Sequence, residues 1–209
     1  MQIQDVVFAV IDTETTGLDP ETCEVVEIAS VPCSLASGVM LNQATHTLVQ
    51  PGVPIPASAS AIHHIVDEDV LGMPSLADAL HEKIKLTVES GTTVALAAHN
   101  AAFDVSFLPP LGFPVICTKR LAKKLLPELE AYGNQFLRYH LKLDIPDEIK
   151  AMSMHRAYAD AAVTAYLLLR ELQELVSRAS DPASITVDGI LEWIAKPNLL
   201  KTCNFGKHK

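Results

Sequence analysis

The stretch from Val7 to Leu18 constrains the fold most strongly, because an apolar run leads directly into two acids. Five consecutive apolar residues, most of them β-branched, predict a strand that is covered on both faces. Asp12 and Glu14 are two residues apart, so in an extended backbone their side chains point to the same face. A carboxylate beside the core is costly to bury unless a partner such as a divalent cation neutralises it. The pattern predicts a metal-binding strand end, and a solvated acidic strand end is the alternative.

Length and composition favour one α/β domain with a sizeable core. The chain has 209 residues, of which 49% are apolar and 20% charged, as in globular proteins. No apolar run reaches the roughly 18 residues of a membrane span, and the N-terminus has no secretory signal pattern, so we expect a cytoplasmic location and no membrane partner. The cysteines (Cys23, Cys33, Cys117 and Cys203) form no C-x-x-C pair, which argues against a zinc knuckle or a disulfide framework.

The net charge of −9 argues against broad, nonspecific binding to nucleic acid, which is usually the property of a basic domain. This objection weakens if several of the acids share one metal site, because bound cations invert the local charge.

Hydrophobic periodicity predicts three strands followed by alternating helices and strands. The strands are expected at residues 7–14, 23–33, 43–50, 92–98 and 114–118. The main helices are expected at residues 76–88, with Ser75 as N-cap, and at 119–125, 134–141, 156–177 and 187–195. This order indicates a mixed sheet flanked by helices.

Acids at the edges of packed elements suggest one catalytic site. Asp104 follows the fourth strand, and Asp160 flanks the apolar stripe of the long helix. Together with Asp12 and Glu14 they would repel each other strongly unless they held cations, and oxygen ligands favour Mg²⁺ or Mn²⁺. Two such ions can activate water and stabilise the leaving oxygen of a phosphodiester. A histidine is a suitable base, and His155 is expected on the loop that enters the helix.

Three motifs resemble those of the DEDDh (DnaQ-like) superfamily of 3′–5′ exonucleases. They are Asp12-Thr13-Glu14-Thr15-Thr16-Gly17-Leu18, His99-Asn100-Ala101-Ala102-Phe103-Asp104 and His155-Arg156-Ala157-Tyr158-Ala159-Asp160. The histidine five residues before the last aspartate is typical of the histidine subclass. The resemblance implies a ribonuclease H-like fold with a mixed five-stranded sheet. It also implies two Mg²⁺ ions, with Mn²⁺ as a substitute, on Asp12, Glu14, Asp104 and Asp160, and His155 as general base.

The same resemblance implies a pocket for the terminal nucleotide, lined by Thr15, His63, Asn100 and Phe103. His63 and His64 can instead be a loop pair without a ligand, and Phe103 can be a core residue. The basic residues Lys119, Arg120, Lys123 and Lys124 either contact backbone phosphates or form a solvated helix face, and the second interpretation is preferred.

Other stretches resemble the bacterial exodeoxyribonuclease X branch of this superfamily. They are Ala61-Ile62-His63-His64-Ile65, Val115-Ile116-Cys117-Thr118, Leu121-Ala122-Lys123-Lys124-Leu125-Leu126-Pro127 and Phe205-Gly206-Lys207. In that branch the chain continues beyond the last of these segments. We therefore expect an exonuclease domain over residues 1–180, followed over 181–209 by a C-terminal helix and tail that begin a missing C-terminal segment.

The expected activity is metal-dependent 3′–5′ hydrolysis of DNA, single-stranded or duplex, with release of nucleoside 5′-monophosphates. An exoribonuclease of the same superfamily that trims RNA is an alternative, since nothing in the sequence senses a 2′-hydroxyl. A catalytically silent nucleic-acid-binding module is another. The intact set of four acids with His155 argues against the silent module, because binding alone would favour losing their mutual repulsion.

Overall fold

The computed structural model describes residues 1–84, 86 and 93–197, and its centre is a mixed sheet of six strands. The strands are β1 (Val6–Thr15), β2 (Val25–Ser34), β3 (Gly38–Val39), β4 (Thr45–Leu48), β5 (Thr93–Ala98) and β6 (Val115–Cys117). The spatial order is β3-β2-β1-β5-β6, and β4 also pairs with β2. Strand β2 pairs antiparallel with β1, β3 and β4. Strand β5 pairs parallel with β1 on one side and with β6 on the other.

The mixed sheet predicted from the sequence is confirmed, but it has six strands rather than five. The additional strand is β3, in which Val39 and Gly38 pair with Cys33 and Ser34. Two residues with a glycine are too short for an alternating pattern, so periodicity could not reveal this strand.

Nine α-helices surround the sheet within the described residues. They are α1 (Ala57–His63), α2 (Asp67–Val70), α3 (Leu76–Asp78), α4 (Ala102–Ser106), α5 (Thr118–Leu125), α6 (Asn134–His140), α7 (Asp147–Lys150), α8 (Ala157–Arg178) and α9 (Val187–Ala195). None of these helices is long and apolar enough to cross a membrane.

The helix expected to extend from Leu76 to about Val88 is shorter than predicted. Ser75 caps α3 as expected, because its hydroxyl accepts a hydrogen bond from the Asp78 amide (3.2 Å). A π-helical turn over Ala79–Lys83 follows, and Ile84 is already extended. The predicted apolar stripe is nevertheless packed against the sheet, so burial was predicted correctly and helix length was not; Val88 itself lies outside the described residues.

Strand β1 separates two cores because its side chains alternate between the faces of the sheet. Phe8 and Val10 belong to the core beneath α8, whereas Ala9 and Ile11 belong to the core on the other face. Continuing this alternation places Asp12 and Glu14 on the α8 face, next to the N-terminal half of that helix. The strand register therefore decides on which face the acids lie.

Helix α9 packs onto the same core as α8, through Val187, Ile190 and Ile194. Its N-terminus is capped by Thr186, whose hydroxyl accepts a hydrogen bond from the Gly189 amide at 3.0 Å. A boundary at residue 180 with a further segment beyond 209 stays a prediction, and the Phe205-Gly206-Lys207 stretch lies outside the described residues.

Candidate active site

The C-terminal end of β1 places two carboxylates side by side. Asp12 and Glu14 are both half-buried, and the β2 residue opposite Glu14 is another acid, Glu27. The pairing register shifts by one residue between Glu14 and Thr15, so the strand bends where its acids are presented. This end of the sheet is therefore acidic on the face covered by α8.

Asp104 joins this group from α4, which follows β5. Its carboxylate accepts a hydrogen bond from the Thr13 amide (3.1 Å) and another from the Thr13 hydroxyl (3.0 Å). Thr13 lies between the two acids of β1, so the residue that separates them also orients the third carboxylate. Asp104 is buried, with 3% of its surface exposed, so it is not a solvent-exposed surface acid.

Helix α8 contributes Asp160 and is preceded by His155, as the sequence predicted. The amide of His155 donates to one carboxylate oxygen of Asp160 (2.8 Å), and Gln135 donates to the other (3.2 Å). His155 is exposed and has a φ of 59°, a left-handed conformation that is uncommon outside glycine. Ligand atoms of Glu14, His155 and Asp160 all lie within 4.8 Å of one another.

Burial and mutual repulsion make these acids hard to ionise. Burial raises the pKa of Asp12 well above its ordinary value, and the charges of Asp104, Asp160 and Glu14 raise it further. Burial raises the pKa of Glu14 to about 8, with added repulsion from Asp160 and Glu27. These shifts show that the carboxylates share one electrostatic environment, although they come from three separate parts of the chain.

Burial also raises the pKa of Asp104, to about 7, and the hydrogen bonds from Thr13 oppose the shift. The pKa of Asp160 is raised by burial as well, opposed by the hydrogen bonds from His155 and Gln135. Such shifts are typical of functional sites.

The donor set fits a hard divalent cation. The carboxylates supply several oxygen donors, the kind that Mg²⁺ and Mn²⁺ prefer, and a bound cation would remove the repulsion that raises the pKa values. Glu14, His155 and Asp160 form the tightest group of possible ligands among the described residues. Asp12 and Asp104 lie outside that group of three, but the charge of Asp104 raises the pKa of Glu14, and the charges of Asp160 and Glu14 raise the pKa of Asp12. The site can therefore hold metal.

A buried ion pair that the sequence did not reveal holds the start of α8 against β2. Both carboxylate oxygens of Glu27 accept hydrogen bonds from Arg156, from Nη2 at 2.8 Å and from Nε at 3.0 Å, and the Ala157 amide donates to the same carboxylate at 2.9 Å. Only 2% of the Glu27 surface is exposed. A lone acid inside the apolar run of β2 was the available signal, but only the strand register shows that it faces Glu14.

His63 lies where a ligand could reach an unused hydrogen-bond donor. Its Nδ1 accepts a hydrogen bond from the Ile65 amide (3.0 Å), so the ring proton is on Nε2. Nε2 is buried and has no partner among the described residues. Burial lowers the pKa of His63, and a backbone hydrogen bond with Thr15 partly opposes this shift. His64 is exposed and ends α1 in a left-handed conformation.

The other residues predicted to bind substrate, Thr15, Asn100 and Phe103, differ in exposure and in their contacts. The Thr15 hydroxyl donates to the Gly17 carbonyl (2.6 Å), which shapes the turn after β1. Asn100 is exposed and has a φ of 72°. Phe103 is half-buried, and its ring lies 5.0 Å from that of Phe107, centroid to centroid.

The comparisons with known proteins agree with this site. The family model described as an exonuclease matches residues 9–168, which include all four acids and His155. The chain belongs to this exonuclease family. It is 34% identical over 200 residues to exodeoxyribonuclease 10 of Escherichia coli K12, covering 96% of this chain and 80% of that protein. It is also 27% identical over 180 residues to the DNA polymerase III subunit epsilon of Aquifex aeolicus, covering 82% and 83% of the two chains.

The fold comparison gives the same assignment. A solved exonuclease X, in complex with 5′ overhanging duplex DNA, superimposes with a TM-score of 0.68 at 32% identity, covering 85% of this chain and 97% of that one. The nuclease domain of 3′hExo, a DEDDh family member, superimposes with a TM-score of 0.63 at 15% identity and supports the fold alone. The resemblance to the DEDDh exonucleases is confirmed, and the chain is a 3′–5′ exonuclease of that type.

Proposed function

We propose that this exonuclease removes nucleotides one at a time from the 3′ ends of DNA and releases nucleoside 5′-monophosphates. The strongest support is that acids from β1, α4 and α8 meet at a single strand end, where burial and the charges of Asp104 and Asp160 raise the pKa values of Asp12 and Glu14. DNA is proposed as the substrate because two relatives at 34% and 32% identity are an exodeoxyribonuclease and an exonuclease in complex with duplex DNA.

Asp12, Glu14, Asp104 and Asp160 are proposed to hold two Mg²⁺ ions, for which Mn²⁺ can substitute. When bound, the cations supply a nucleophile at neutral pH and charge stabilisation of the leaving oxygen. The protein's own contribution is to hold the acids in place, since Thr13 orients Asp104 and the His155 amide orients Asp160.

His155 is proposed to accept the proton of the attacking water. An imidazole nitrogen can accept a proton, and general bases typically contribute about 10²–10⁴-fold to turnover. The His155 amide donates to the Asp160 carboxylate, and the side chain of the next residue, Arg156, donates to Glu27. These two hydrogen bonds hold the backbone of the loop that carries the His155 ring.

Thr15, His63, Asn100 and Phe103 are proposed to bind the terminal nucleotide. The buried Nε2–H of His63 is suited to donate to a substrate oxygen, because a donor left without a partner in the interior is costly. Phe103 offers an aromatic ring on which a base can stack. A cytoplasmic location remains a prediction.

Digestion of 5′-labelled oligonucleotides tests this proposal. We expect a DNA oligonucleotide to shorten by single nucleotides in Mg²⁺, and a circular single-stranded DNA of the same composition to survive. An RNA oligonucleotide of matched sequence distinguishes DNA from RNA as the substrate. Faster digestion of the RNA would replace the proposal by RNA trimming, and cleavage of the circle at a comparable rate would show an endonuclease. The Asp104→Asn variant is the inactive control.

A further inference from the structure

A groove lies at the edge of the sheet beyond β6, between α4, α5 and α9. Its larger part is a cavity of about 550 Å³, lined at one end by Asn100 and Ala102 and at the other by Leu191 and Ala195. A second cavity of about 240 Å³ continues it towards Lys196, and the two share Arg120 and other lining residues. We call the two cavities together the basic groove.

The basic groove is positively charged in an acidic protein. Lys119, Arg120, Lys123 and Lys196 line it, and none of the described residues that line either cavity is an acid. The chain as a whole has a net charge of −9. A concave surface of opposite sign to the whole molecule concentrates anionic ligands.

The cations of α5 lie along one side of the helix. Lys119 and Lys123 are four residues apart and Arg120 and Lys123 three apart, spacings that put side chains on adjacent turns of one face. The sequence of α5 contains no acid that could neutralise them within the helix. Lys124 donates to the Pro197 carbonyl (3.3 Å), which holds the segment containing Lys196 beside α5. The groove is thus a row of cations rather than one isolated charge.

The basic groove borders α4, the helix that carries Asp104. Asn100 and Ala102 line the groove, and Asp104 follows two residues later on α4, less than one helical turn away. Lys119 also contributes to the lowered pKa of His99 at the end of β5, which places its charge near the same strand end.

We propose that the basic groove binds the sugar–phosphate backbone of the substrate strand on the 5′ side of the scissile bond; this rests on the proposed action on DNA. A polyanion with regularly repeated charges matches a row of cations, whereas a single small anion needs only one of them. The structure therefore favours phosphate contacts over the solvated helix face that the sequence alone suggested for Lys119, Arg120 and Lys123.

The test compares two double variants with the same change in charge. Arg120→Gln with Lys196→Gln removes two cations of the groove. Arg170→Gln with Lys150→Gln removes two cations elsewhere, each of which has an acidic neighbour at 3.9 Å or 2.8 Å. Binding of a 5′-labelled single-stranded DNA is measured by fluorescence anisotropy at several salt concentrations, with Asp12→Asn added to prevent turnover. Hydrolysis of the p-nitrophenyl ester of thymidine 5′-monophosphate, which lacks an upstream strand, is measured with Asp12 intact.

Loss of two phosphate contacts reduces the slope of log Kd against log salt by about 1.4 and weakens binding by about 25-fold at 0.1 M salt. We expect this for the groove variant, with ester hydrolysis within twofold of wild type, and no such change for the control variant. Equal DNA binding by the two variants would overturn the proposal.

Failure of the proposed function gives a different result, because the wild type would then hydrolyse neither DNA nor the ester. An acidic protein partner is the competing occupant and is tested with a polyglutamate peptide. If that peptide bound the wild type as tightly as DNA and lost affinity in the groove variant, the groove would be a protein-binding surface and the inference would be wrong.

Discussion

Without divalent cations, the protein is expected to lose stability as the pH rises from 6.5 to 8. The folded-state pKa of Glu14 is about 8 against an ordinary value of 4.5, and that of Asp104 is about 7 against 3.8. In this range the folded chain retains protons that the unfolded chain has already released. Folding then takes up protons, so the free energy of unfolding declines with rising pH until the folded-state pKa values are passed.

The size of this decline follows from the two shifts. Integrating proton linkage from pH 6.5 to 8 gives about 1.6 kcal/mol for Glu14 and about 0.8 kcal/mol for Asp104. The sum of about 2.4 kcal/mol corresponds to a fall in Tm of about 5–10 °C for a chain of this length. His99 acts with the opposite sign and mainly below this range, because burial lowers its pKa to about 4.

Urea denaturation in EDTA at several pH values measures the decline, and the same series in saturating Mg²⁺ is the comparison. With Mg²⁺ the decline is expected to disappear, because the ionised acids bind the cation and binding stabilises the folded state. Glu14→Gln should reduce the decline in EDTA by about 1.6 kcal/mol, the share of Glu14. A flat or rising profile in EDTA, or identical profiles with and without Mg²⁺, would refute the reasoning.

Three further predictions concern single side chains. Arg156→Ala leaves the buried Glu27 carboxylate without its partner and should cost about 3 kcal/mol in urea denaturation, with recovery in the double variant that adds Glu27→Gln; a loss below about 0.5 kcal/mol would contradict this. Asp12→Asn and Asp160→Asn should each abolish turnover while the far-ultraviolet circular dichroism spectrum stays native, and wild-type rates would exclude them as metal ligands. His155→Ala should lower kcat by about 10²–10⁴-fold; a single-turnover rate within a few-fold of wild type would exclude it as the base.

The parts of the site that were predictable from the sequence are those encoded within short segments. Asp12 and Glu14 share a face because strand side chains alternate, and this required only their spacing. His155 was correctly expected just outside α8, since five residues of a helix could not put it on the side of Asp160. In each case the information lies within about one turn or one strand.

The parts that were not predictable depend on contacts between distant segments. Glu27 faces Glu14 only through the register of β1 and β2, and its bond to Arg156 spans 129 residues. Thr13 binds Asp104 across 91 residues. The groove beside α5 likewise needs α9, because its second wall comes from the end of the described chain. The hydrophobic periodicity of a single segment cannot predict which distant segments it will contact.

The alternation along β1 also determines which mutations this nuclease can tolerate. Substitutions in the strand change packing by degrees, whereas one residue inserted between Val6 and Ile11 would turn both Asp12 and Glu14 away from α8. Ile11 and Thr13 would then take their positions, and neither an alkyl group nor a hydroxyl can replace a carboxylate towards a cation. A second inserted residue would turn the acids back to the original face. Within this strand, sequence length should therefore be under stricter selection than residue identity, and its evolution should proceed by replacement rather than by insertion or deletion.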